Sequence, residues 1–173
     1  MKSDRPYAPI VVLVALWLVL GIFVWATFDQ LPERVATHFG RGGHADAWMT
    51  RAGHVRFLIG FAVGLPIFLH IVLAVVRSFG ASAYNLPHRA YWLAPERRES
   101  TIAYVQSSVA WFICVIVGFF AGAHYLVLNA NTHQPPAMSM PLLLVVAGSF
   151  LVLLCAWIAR LIFHFYRVPK TVA

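Results

Sequence analysis

Four apolar runs, each long enough to cross a bilayer, constrain this chain more than any other feature in it; they fall at 8–28, 57–76, 104–128 and 141–163. About 20 residues of helix span a hydrocarbon core of ~30 Å, and lipid offers backbone N–H and C=O groups no partners. The expected fold class is therefore an all-α integral membrane protein with four transmembrane helices. Composition agrees. Of 173 residues 61% are hydrophobic and 11% charged, against roughly 25% charged in a soluble domain. The spans leave an outer loop at 29–56, a cytoplasmic loop at 77–103 and a second outer loop at 129–140, all in one membrane domain.

The run from Ala8 to Phe28 carries no charge and exceeds the roughly 7–15 apolar residues of a signal peptide, so it is expected to be an uncleaved anchor. The second run contains Pro66 and His70. Pro66 removes one backbone donor, and a neighbouring helix is expected to re-satisfy the freed carbonyl. Thr50 stands where it can cap that helix, starting it several residues outside the bilayer. Pro95 reads as a first-turn proline for the third helix, with Glu96 and Glu99 suited to its N-terminus. From Pro95 to Leu128 that helix would measure roughly 50 Å, leaving about two turns in water. Arg160, His164, Arg167 and Lys170 bound the fourth run.

Four spans put both termini and the middle loop on one side, with Lys2, Arg5, Arg77, Arg89, Arg97, Arg98, Arg160, Arg167 and Lys170. The other side has Arg34, Arg41, Arg51 and Arg56. The positive-inside rule thus predicts cytoplasmic termini. The net charge of +7 is spent on orientation and forms no single basic face, which excludes nucleic acid as a partner. Cys114 and Cys155 lie inside apolar runs and form no disulfide framework.

Gly60 and Gly64 in the second span, and Gly118 and Gly122 in the third, are small-xxx-small pairs, which predict that these two spans touch there. Three intramembrane histidines are functional candidates by default. Counted along the helices, His70 and His124 differ in depth by roughly 14 Å, too far for two ligands of one haem. His124 and His164 are expected to face headgroups, and His70 to hydrogen-bond a neighbouring helix. Cys114, Cys155, Ser107 and Ser108 read as packing positions.

The polar interval LPERVATHFGRGGHADAWMT, Leu31 to Thr50, is the richest in reactive side chains. Its glycines permit a tight reversal at positive φ, and Asp46 can cap a turn. Trp48 suits the headgroup level. Arg51, a cation at a helix N-terminus, needs a counter-charge, for which Asp46 is the nearest candidate. His38, His44, Asp46 and His54 are candidate zinc ligands, and His133, Met138 and Met140 would suit Cu(I), but no compact metal motif is present. In the cytoplasmic loop Tyr91, Trp92, Pro95, Arg97 and Arg98 suit a membrane interface with anionic headgroups, or a docking surface for a partner. No nucleophile–base pair, phosphate loop or paired catalytic carboxylates can be assembled, so enzyme activity has no positive support.

Leu31, Pro32, His38, Phe39, Gly43, Asp46, Trp48, Thr50 and Arg51 follow a pattern of Leu-Pro, His-Phe, Gly, Asp-x-Trp and hydroxyl-basic. In that order and spacing the segment resembles a bacterial membrane domain of unknown function. That domain is also found at the N-terminus of SdpI-type proteins, which confer immunity to a secreted toxin and take part in its sensing. The resemblance covers span one to the start of span two and implies a multi-pass protein of the bacterial inner membrane. The YWLAPERR stretch looks like a feature of shorter relatives. The expected function is a non-enzymatic accessory, immunity or sensing component that meets a partner at the extracytoplasmic face. In that reading Pro32, His38, Phe39, Gly43, Asp46, Trp48 and Thr50 shape the recognition loop, the lipid bilayer and a membrane protein or second copy are the partners, and no cofactor is needed. Two alternatives stand beside it: a metal-handling protein for zinc or copper, and a structural subunit of a larger membrane complex.

Overall fold

A computed structural model describes residues 7–168. Lys2, Arg5 and Lys170, used above for orientation, lie outside the described residues. Four helices are long and apolar enough to cross a membrane, as a multi-pass membrane protein requires: α1 (Ala8–Thr27), α2 (Arg51–Ser78), α4 (Arg98–Asn131) and α5 (Met140–Tyr166). A short helix, α3 (Arg89–Trp92), precedes α4. The all-α expectation needs correction between α1 and α2, where β1 (Arg34–Phe39) and β2 (Ala45–Thr50) pair as a two-stranded antiparallel hairpin.

Thr50 opens α2 as expected: its hydroxyl accepts from the Gly53 amide at 3.0 Å, which satisfies one of the first-turn donors a helix cannot bond internally. The start of α4 differs from expectation. Pro95, Glu96 and Arg97 form a turn, and the helix begins at Arg98 with Glu99 in its first turn. Only Glu99 is therefore placed to complement the helix dipole from within.

Helix α4 is central, touching α1, α2 and α5. In its most apolar stretch 39% of residues are buried, against none in that of α5, which packs chiefly on α4. Leu13, Leu20 and Val24 of α1 meet Leu58 and Ala62 of α2 and Ile113, Cys114 and Val117 of α4 in one cluster. The outward faces stay apolar because lipid tails solvate them as well as a protein core would.

Two polar contacts inside the bundle involve Pro66 of the second span. Pro66 cannot donate to the Ala62 carbonyl one turn back, and the Trp17 indole N–H of α1 takes that acceptor at 2.8 Å. His70, expected to bond another helix, instead reaches its own Pro66 carbonyl at 2.9 Å. The Cys114 thiol bonds the Pro9 carbonyl at 3.4 Å, and Cys155 is exposed.

The glycine pairs do not join spans two and three. A Cβ added at Gly60, Gly64 or Gly118 would meet nothing within 4 Å, whereas at Gly122 it would stand 2.9 Å from Val146 of α5. The close approach therefore belongs to the α4–α5 seam, where Trp157 also stacks on Phe112 at 4.5 Å and donates to the Ser108 carbonyl. In α2 the small residue of the buried cluster shared with α1 and α4 is Ala62, which is fully buried.

Candidate functional site: a hairpin fastened to the helix ends

The hairpin turns through Gly40–Gly43. Gly42 and Gly43 both take φ of 78°, a region open to glycine at little cost. The Gly40 amide donates to the His44 carbonyl at 2.9 Å and closes the turn. Gly43 is required twice over, because a Cβ there would lie 3.0 Å from the Met138 carbonyl oxygen. That contact belongs to a seam with the second connecting loop: the Met138 amide donates to the Gly43 carbonyl at 2.9 Å, and His44 bridges to Ala137. His44 and Met138, both considered as metal ligands, are thus engaged through their backbones.

Pairing along the ladder is interrupted at two places. Ala36 faces Trp48, His38 faces Ala47 and Phe39 faces Ala45, so Thr37 and Asp46 have no opposite number. Extra residues of this kind bend a strand and re-aim its side chains. Before the first interruption Val35 and Ala36, which point to opposite faces of the strand, are both fully buried, so the hairpin is covered on both faces there. The irregularity brings Asp46 Oδ1 to 2.5 Å from His38 Nδ1. Asp46 therefore holds an imidazole rather than capping a turn. Both members are well exposed, at 72% and 49%, so the pair adds little to stability and stays available to a ligand. Trp48 is 42% exposed, with the Arg34 guanidinium 5.1 Å from its ring centre. Pro32 is exposed, and Phe39 half-buried, while Leu31 beside Pro32 is almost fully buried.

The counter-charge expected of Asp46 comes from elsewhere. Arg51 Nη1 lies 3.2 Å from Asp29 Oδ1, and its guanidinium sits 5.2 Å from the Phe28 ring centre. Asp29, just past α1, reaches the start of α2 because the hairpin returns the chain beside its point of departure; the Arg51 amide donates to Glu33 at 3.0 Å.

Two residues that sequence reasoning passed over or misplaced fasten this assembly. Asn131, the last residue of α4, accepts from the Ala36 amide through Oδ1 and donates to the Ala36 carbonyl through Nδ2, both at 2.9 Å. The amide acts as a substitute strand, matching the backbone donor and acceptor of one residue. Its second Nδ2 proton reaches the Val127 carbonyl at 2.8 Å. His124, expected at headgroup level, is fully buried. Its Nε2 lies 2.9 Å from Thr27 Oγ1 of α1, and its Nδ1 lies 3.1 Å from Nε2 of His54 on α2.

One proton arrangement satisfies this chain. The single Thr27 hydroxyl proton is taken by the Phe23 carbonyl at 2.7 Å. Thr27 then accepts from His124 Nε2–H, and His124 Nδ1 accepts from His54 Nε2–H. The Phe23 ring meets His124 edge-on at 5.1 Å. Three helices are tied at one point by neutral imidazoles. His54 is 5% exposed, whereas the His38–Asp46 pair is open to solvent. Among the described residues, no three His, Cys, Asp or Glu side chains converge as a metal site requires.

At the opposite end of the bundle, Trp92 is docked into the protein: its indole donates to the Phe165 carbonyl at 2.9 Å. His164, also expected to face headgroups, is stacked between Trp92 at 4.9 Å and Tyr104 at 3.7 Å. Arg97 lies 4.0 Å over Tyr91 and donates to its carbonyl. Thr101 bonds the Trp92 carbonyl at 2.8 Å. Arg98 is exposed.

No curated protein and no solved structure matches the chain. Residues 11–63 match the model of a domain of unknown function, DUF1648. The matched segment comprises most of α1, the whole hairpin and the first half of α2, and so contains Thr27, His38, Asp46 and His54; His124 and Asn131, which fasten it, belong to α4 beyond it.

Proposed function

We propose that this protein is a non-enzymatic component of a bacterial inner membrane, in an accessory, immunity or sensing role, and that its hairpin recognises a partner on the extracytoplasmic side. The observation that carries this reading is the exposed His38–Asp46 pair on a hairpin held at Ala36 by Asn131 and at its turn by the Met138–Gly43 seam. Such fastening lowers the entropy lost when a partner docks. The excess of Lys and Arg at the opposite end supports the orientation. His38 can present an imidazole edge, Asp46 a carboxylate oxygen and Trp48 an aromatic face, a mixture typical of residues that dominate interfaces.

His38→Ala and Asp46→Ala, expressed in the native membrane, test it by mild-detergent purification and mass spectrometry of companions. A companion retained by the wild-type chain should fall at least severalfold in both variants, with the helical bundle unchanged in melting temperature. Identical companions in equal yield from all three proteins would overturn the proposal.

A further inference from the structure

At the end of the bundle away from the hairpin, α3 and the start of α4 lie against the last turn of α5. They leave a groove of about 500 Å³ whose lining includes Tyr91, Trp92, Arg97, Phe163, His164 and Arg167. Its aromatic floor is set before any ligand arrives, by the Trp92–Phe165 hydrogen bond and by the stack of Trp92, His164 and Tyr104. Its cations are oriented but unneutralised. Arg97 uses Nε on the Tyr91 carbonyl and its plane on the Tyr91 ring, and Arg167 lies 5.7 Å from the Phe163 ring centre. Among the described residues neither guanidinium pairs with a carboxylate. Arg77, Arg89 and Arg98 line adjoining grooves, with Glu99 the acid among them, so the local field is positive.

Two guanidinium groups over an aromatic floor, Arg97 half-sheltered and Arg167 exposed, suit a phosphate oxyanion, which Arg binds through paired N–H donors. The wall of the groove identifies the source. Phe163 is 60% exposed and continues on α5 into exposed Ile162 and, one turn below, Ile158, an apolar track on the lipid-facing side of a spanning helix. A soluble phosphate has no use for that track; an amphiphile does. We infer that the groove binds an anionic phospholipid, its phosphate held by Arg97 and Arg167 and its acyl chains lying along Ile158 and Ile162.

The full chain, purified in detergent, can be tested by native mass spectrometry with added phosphatidylglycerol or phosphatidylcholine. Retention of phosphatidylglycerol should exceed that of phosphatidylcholine severalfold. R97Q and R167Q should each lower it on the order of fivefold, the scale of one basic residue at an anionic surface. Arg167 is exposed just past the end of α5, so R167Q decides the matter if R97Q disturbs the fold. Equal retention of the two lipids, or retention unchanged in R167Q, would overturn the assignment. So would glycerol phosphate or inorganic phosphate displacing the lipid at equal concentration, since the occupant would then be a free phosphate.

Discussion

Asn131 satisfies both backbone polar groups of one buried residue, Ala36, and this makes it the most consequential single side chain at the hairpin. Asn131→Ala strands the Ala36 amide and carbonyl, each costing about 1–3 kcal/mol when buried without a partner. Thermal unfolding in detergent should show a loss of a few kcal/mol, and hydrogen exchange at the Ala36 amide should rise sharply. Asn131→Asp keeps an acceptor for the amide but sets an oxygen against the carbonyl, so it should not rescue. The histidine chain behaves differently. His124→Leu leaves His54 Nε2–H without its acceptor and should cost about 1–3 kcal/mol, whereas His54→Leu with His124→Leu removes both partners and should recover part of that loss. A double variant no more stable than the single would contradict the hydrogen-bonded pair. Neither His124 nor Asn131 declared its role in the sequence. Counting residues along an apolar run gives depth, and the partner that fills a given depth comes from another helix.

At the scale of elements, the hairpin was legible in its reversal but not in its strands. Gly42 and Gly43 announced positive φ, and Thr50 announced the start of α2. RVATHF and ADAWMT, by contrast, lack the strict alternation that identifies a half-buried strand: Val35 and Ala36, neighbours on opposite faces, are both fully buried. The glycines of the spanning helices give the corresponding test for packing. Gly122→Leu must displace Val146 and should separate α4 from α5, lowering the melting temperature by several degrees. Gly60→Leu projects into open space and should change it little. Equal effects at both positions would show the α4–α5 seam to be misassigned.

For the molecule as a whole, the number of spans, their lengths and the solvent that surrounds them follow from contiguous residues. A run such as Ala8–Thr27 meets the bilayer's demand for internal hydrogen bonds whatever its neighbours do. Pro66 likewise implied an orphan carbonyl at Ala62. That Trp17 would satisfy it, that Arg51 would find Asp29 rather than Asp46, and that His54 would meet His124 were decided only when the helices packed. The physical reason is rotational. A helix apolar on every side, as α1 is, carries no amphipathic stripe to aim it, so which face turns inward is chosen by close packing and by a few polar contacts between segments far apart in the chain.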